Sequence, residues 1–86
     1  MTPTDAQIAR AILSCCAERG PGKTICPSEP ARLICPEEDA WRALMPEVRR
    51  IAADLAAEGR IAVTQKGQPV DPGIARGPIR LGLPQN

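Results

Sequence analysis

Four groups of side chains in this chain have the composition of reactive or ligand-binding sites: the turn Gly20-Pro21-Gly22-Lys23-Thr24, four cysteines, the acidic run Glu37-Glu38-Asp39 and a set of arginines and lysines in the second half. The turn looks like the end of a phosphate-binding loop, whose backbone N–H groups need a strand before the loop and a helix directly after it. Here a helical pattern precedes the turn, Ala17 stands where the motif has its first glycine, and Ile25-Cys26-Pro27 cannot open a helix at the required place. It is read as an inter-helix connection. Cys15, Cys16, Cys26 and Cys35 lack Cys-x-x-Cys spacing, and with no histidine in the chain a zinc site would need all four thiolates from three separate segments. They are read as small buried hydrophobes, Cys16 central to its helix face, and Cys26 has no histidine to activate it as a nucleophile. Consecutive carboxylates on a connection point in different directions, so Glu37, Glu38 and Asp39 are solvated charges, with Asp39 a cap for the turn before Trp41. No catalytic residue, metal ligand, cofactor or small-molecule substrate follows from these patterns, and the chain is not expected to be an enzyme.

The basic set is the candidate binding surface. Arg42, Arg49 and Arg50 fall on the outer face of the main helix, and Arg60, Lys66, Arg76 and Arg80 on the segment after it. In a winged helix those two elements can share one side of the domain, the helix entering a major groove of duplex DNA and the wing reaching phosphates or a minor groove. The expected nucleic-acid contacts are therefore Arg42, Arg49, Arg50, Lys66, Arg76 and Arg80. Phosphates would be met chiefly by Arg49, Arg50, Lys66 and Arg76, because the helix face presents Ala53 and Ala57 but no Asn or Gln to pair with adenine. The same charges can instead be a solvated face offset by Glu47, Asp54, Glu58 and Asp71, on a domain that docks a protein partner or a second copy. Trp41, the only aromatic residue, lies on the apolar helix face and is read as core rather than as a platform for a base.

Positioning these side chains requires three helices followed by a β-hairpin, an α+β fold in winged-helix order spanning 1–86. Thr4 and Gln7 have capping-box spacing at the head of a first helix over about 4–18, with Thr2 before Pro3 as the competing cap. A period of 3.6 places Ile8, Ala9, Ile12, Leu13 and Cys16 on one face, opposite Gln7, Arg10, Ser14 and Glu18. Thr24 and Ile25 form a short strand or an extended link. A second helix over about 28–34 has Ser28 as N-cap, Pro30 in its first turn, and Ala31, Leu33 and Ile34 as apolar contacts. The main helix over about 41–58 aligns Trp41, Leu44, Val48, Ile51, Ala52 and Leu55, and Gly59 is suited to close it in the left-handed conformation. Pro46 belongs in its first turn, with 40–45 a separate turn; one continuous helix is the alternative. Strands over about 60–65 and 78–83 alternate Ile61 and Val63, then Ile79, Leu81 and Leu83, toward the helices, with 66–77 a long wing loop. The end at Pro84-Gln85-Asn86 is expected to fray.

Composition bounds what this fold can do. At 86 residues the chain is one domain with a core of Ala, Ile, Leu and Val around a single indole. The net charge of +1 is small for a nucleic-acid binder, but it is unevenly placed. Residues 1–40 carry four Lys/Arg against six Asp/Glu, and residues 41–86 carry seven against four. No apolar run approaches the roughly 20 residues of a membrane span, and the start lacks a signal-peptide pattern, so a cytoplasmic protein with reduced thiols is expected.

The runs Gly20-Pro-Gly-Lys-Thr-Ile-Cys-Pro-Ser-Glu29, Trp41-Arg-Ala-Leu-Met-Pro-Glu-Val-Arg49, Glu58-Gly-Arg-Ile-Ala-Val-Thr-Gln-Lys-Gly67 and Ala75-Arg-Gly-Pro-Ile-Arg-Leu81 resemble a small bacterial family catalogued only as a domain of unknown function. The resemblance covers nearly the whole chain. It implies a winged-helix-like domain and brings no activity or ligand to particular residues. Pro30 departs from it, standing where an apolar non-proline residue is expected.

Scattered cysteines without histidine should make folding independent of metal and disulfides. Chelator or reductant is expected to leave the thermal melting curve unchanged; stoichiometric zinc, lost together with structure on chelation, would contradict this.

Overall fold

The first helix, α1 (Asp5–Arg19), starts at a complete capping box: the Thr4 hydroxyl accepts from the Gln7 backbone N–H at 3.1 Å, and the Gln7 side chain accepts from the Thr4 N–H at 2.8 Å. A computed structural model describes residues 3–84. The alternative cap at Thr2 and the fraying expected of Gln85-Asn86 lie outside the described residues. Ile8, Ala11, Ile12 and Cys16 are the buried residues of α1, so its inner face is turned toward Ala11, and Ala9 and Leu13 are only part-buried. Gly20 then ends the helix at φ 93°.

Strand β1 (Thr24–Ile25) precedes α2 (Ser28–Ile34). Ser28 is not the cap expected of it, because it already lies inside the helix behind Pro27. Its hydroxyl instead donates to the Cys26 sulfur at 3.1 Å. The Glu29 carboxylate takes the Cys26 N–H at 2.9 Å, and the Glu29 N–H bonds the Cys26 carbonyl at 3.0 Å in a backbone turn, so the chain is fixed at the head of a helix that has no side-chain cap. Pro30 is buried in the first turn, where a missing N–H breaks no helical bond. Leu33, expected to pack inward, is 63% exposed; Ala31 is buried beside Pro30, and Ile34 is part-buried.

Helix α3 (Glu38–Ala57) is longer than expected at its start and runs as one element through Pro46. Asp39 therefore lies in its first turn and is not a cap. Pro46 removes the bond that would reach the Arg42 carbonyl, yet both residues are exposed, where solvent can take the freed acceptor. The buried row Leu44, Val48, Ile51 and Leu55 spans the proline and holds the helix on both sides of it. Trp41 is only part-buried at the margin of this core. The far end is a Schellman closure: Gly59 takes φ 73°, its N–H bonds the Ala56 carbonyl at 3.0 Å, and the Arg60 N–H bonds the Leu55 carbonyl at 2.9 Å.

The chain then enters β2 (Ala62–Gln65), with Ile61 buried just before it. The long wing loop expected over 66–77 is instead a two-residue turn at Lys66-Gly67, with φ 53° and 80°, into β3 (Gln68–Pro69), followed by a return segment to β4 (Arg80–Gly82). Two consecutive positive φ values match the twist of a tight hairpin. All pairings are antiparallel, in the order β1-β4-β2-β3. The register puts Ile25, Leu81 and Val63 opposite one another, all buried, and turns Thr24, Gly82, Ala62, Arg80, Thr64 and Pro69 to the other face. At Gly82 an added Cβ would stand 2.9 Å from the Lys23 carbonyl oxygen, so glycine permits the approach of β1. Among the described residues no helix is long and apolar enough to cross a membrane.

Leu55, 3% exposed, sits one turn before this closure and packs in the shared core. Leu55→Ala is expected to cost about 2–5 kcal/mol in urea unfolding, through lost burial and the residual cavity. A loss under about 0.5 kcal/mol would contradict that packing.

Candidate nucleic-acid interface

The expected basic residues separate into two groups according to what their guanidinium and ammonium groups meet. On α3, Arg42 lies 3.7 Å from Glu38 and its guanidinium stands over the Trp41 ring, as does that of Arg32 from α2, at 4.8 and 4.6 Å from the ring centre. Arg50 is held by Asp5 of α1 at 2.7 Å and by Glu47 at 2.6 Å, and hydrogen bonds to both carboxylates raise its pKa further. Arg49 donates to the carbonyls of Ala75 at 2.8 Å and Gly77 at 3.1 Å. These three arginines are engaged with the domain itself.

Arg49 is one of several ties that fold the return segment against α3. The Asp71 carboxylate accepts from the Gly73 N–H, and its carbonyl accepts from Ile74 and Ala75, forming a compact turn. Val70 bonds the Val63 carbonyl at 3.0 Å, and Pro72 is buried. Pro69, Val70, Asp71 and Pro72 line one shallow depression with Ala53, Ala56 and Ala57. The small-residue stretch of α3 that would permit close approach to a duplex is therefore flanked by the protein's own loop. Sequence spacing did not reveal this, because the partners of Arg49 lie 26 and 28 residues away.

The second group comes together on the hairpin. Lys66, Arg76 and Arg80, with Gln65 and Pro78, line a single depression. Gln65 Nε2 shapes it by donating to the carbonyls of Arg76 and Pro78. Arg80 donates from Nε to the Thr24 hydroxyl and from Nη2 to the Thr24 carbonyl, both at 2.9 Å. Among the described residues no carboxylate lies within ion-pair distance of Lys66, Arg76 or Arg80; the four ion pairs involve Arg42, Arg50 and Arg60 instead. Arg19, at the end of α1, was not among the residues singled out by spacing. Its Nε donates to the same Thr24 carbonyl at 3.3 Å.

The cysteines do not contribute to this surface chemistry. Cys16 is buried, and burial, with Cys15 and Glu29 nearby, pushes its thiol up to about 11. Burial, with Glu29 and Glu18, likewise raises Cys15. Both shifts disfavour the nucleophilic thiolate. Among the described residues no three His, Cys, Asp or Glu side chains are placed to hold a metal ion.

Fold and surface together define a small α+β domain: three helices and an antiparallel sheet, with Lys66, Arg76 and Arg80 gathered in one depression and, among the described residues, no carboxylate within ion-pair distance of them. The chain belongs to the family described as "Protein of unknown function (DUF3253)", which matches it over residues 5–84. No curated protein matches it.

If Arg49 holds the return segment, Arg49→Ala should speed amide exchange at Ile74 and Ala75 by roughly tenfold, about the worth of one charge-assisted hydrogen bond. Protection in α1 should be retained. Unchanged exchange at those two amides would mean that the Asp71 turn alone sets the loop.

Proposed function

We propose that this is a winged-helix domain that binds nucleic acid through phosphates, with the hairpin rather than α3 as the principal contact. The order of three helices and a hairpin, with β1 added beside β4, supports the winged-helix reading. One observation carries the binding reading: Lys66, Arg76 and Arg80 surround one depression without a carboxylate partner. Cations arranged so are available to replace counterions on a phosphate backbone. Arg42 and Arg50 play a lesser part in this reading because each faces a carboxylate, and Arg49 because both its terminal nitrogens bond carbonyls of the return segment; Arg80, also bonded within the domain, keeps Nη1 without a protein acceptor among the described residues. A lone aromatic, part-buried, supports backbone contact over base stacking. The domain acts here as a binder and not as an enzyme.

The alternative is a module for docking a protein or a second copy. It is favoured by Leu33 and Ile74, exposed to 63% and 80%. They belong to two different segments, α2 and the return segment.

The test is duplex-DNA affinity against salt on two unrelated sequences. Three phosphate contacts predict a log–log slope of about −2.7, and Lys66→Ala or Arg76→Ala should each reduce its magnitude by about 0.9 on both duplexes. Arg50→Ala should leave the slope in place. Absence of binding at low salt would refute the nucleic-acid reading, and a slope that responds to Arg50→Ala but not to Lys66→Ala would move the contact to α3.

A further inference from the structure

We infer that the phosphate-binding surface continues from the hairpin onto the end of α1, where Arg19 and Arg80 converge on Thr24 to form a second anion site. The inference rests on the nucleic-acid reading for its ligand, but its geometry is separate. Arg19 Nε and Arg80 Nη2 both donate to the Thr24 carbonyl oxygen, at 3.3 and 2.9 Å. Two guanidinium groups are thereby drawn to one acceptor. Among the described residues neither has a carboxylate within ion-pair distance.

Like charges brought together without a counter-charge repel, and an anion between them removes that repulsion. A guanidinium carries five N–H donors in a planar fork. The bonds to Thr24 use Arg19 Nε and Arg80 Nε and Nη2, which leaves both terminal nitrogens of Arg19 and Nη1 of Arg80 without a protein acceptor among the described residues. Donors of this kind suit the oxygens of a phosphate. A cation at the last turn of a helix ordinarily complements that helix's own carbonyls. Arg19 instead reaches five residues ahead to β1.

Arg80 belongs to both sites, since it also lines the depression with Lys66 and Arg76. Its register places it on the outer sheet face with Thr24 and Thr64. A phosphate backbone following these cations therefore crosses the open face of the sheet from the Lys66-Gly67 turn toward the end of α1. This path does not include α3.

The experiment compares the whole chain with Arg19→Gln, Arg19→Lys and Lys66→Ala in duplex affinity against salt. It also titrates each with inorganic phosphate while following arginine Nε–H resonances by NMR. With Arg19 as a fourth contact the inference expects a parent slope of about −3.6 rather than about −2.7, Arg19→Gln to reduce its magnitude by about 0.9, Arg19→Lys to restore it, and phosphate to shift the Arg19 and Arg80 signals saturably. Binding whose slope responds to Lys66→Ala but not to Arg19→Gln overturns the second site and leaves the hairpin reading intact. If the chain binds no duplex yet phosphate shifts both arginines, the site stands as one for free phosphate and the nucleic-acid reading falls. If neither ligand produces an effect, both fall.

Discussion

The row Ile25–Leu81–Val63 is the constraint on which the rest of the sheet depends. These three residues lie opposite one another on three neighbouring strands and are all buried against the helices. Because side chains alternate along a strand, this row fixes the outward direction of Arg80, Thr24 and Thr64. A slip of one residue would drive Arg80 into an aliphatic core and expose Leu81. The candidate surface is thus a consequence of core packing, and its two key hydrogen bonds, Arg80 to Thr24, span 56 residues only because that register holds.

Helix α3 contributes to the domain differently from the hairpin. Its closure at Gly59 turns the chain into β2, and Arg49 then ties the return segment back across it. A guanidinium bonded to two carbonyls is constrained in direction even though its charge persists. Arg50, between two carboxylates, is closer to neutral in its field. The half of the chain that carries the positive excess therefore divides internally. Its helical arginines are absorbed into the architecture, and its hairpin cations remain outward.

The legible parts of the fold were those set by neighbours in sequence. Thr4 and Gln7 are three residues apart and form the box their spacing implies; Gly59 follows an apolar period and takes the left-handed turn; Ile61, Val63, Ile79 and Leu81 alternate and are buried. Pro46 misled because local propensity ends a helix there, whereas the buried row on either side carries the helix through. Lys66 misled in the opposite sense. A lysine at φ 53° is unusual, so Gln65-Lys66-Gly67-Gln68 lacked the Asn-Gly or Asp-Gly mark of a two-residue turn. The candidate surface was less legible than the fold. Charge and helical phase placed Arg49 and Arg50 outward, but neither encodes the acceptors that Gly77, Ala75 and Asp5 supply from distant segments.

A net charge of +1 is compatible with anion binding when the acids and bases are segregated in this way. Asp5, Glu38, Glu47 and Glu58 all sit against arginines of α3 or of the turn following it. Lys66, Arg76 and Arg80, and Arg19 beside Thr24, are among the cations that these pairs leave without a carboxylate, and the field of so small a cluster is screened within about 8 Å at physiological ionic strength. Such a patch cannot steer a partner from afar, as a strongly basic domain does. Under the proposed function it would act at contact, its strength coming from desolvated guanidinium–phosphate hydrogen bonds rather than from long-range attraction. In the proposed reading this favours a short stretch of backbone held weakly by one domain. The geometry of the sheet face then matters more than total charge, because each contact must be made by a side chain already aimed outward. The register that buries Leu81 supplies that direction to Arg80.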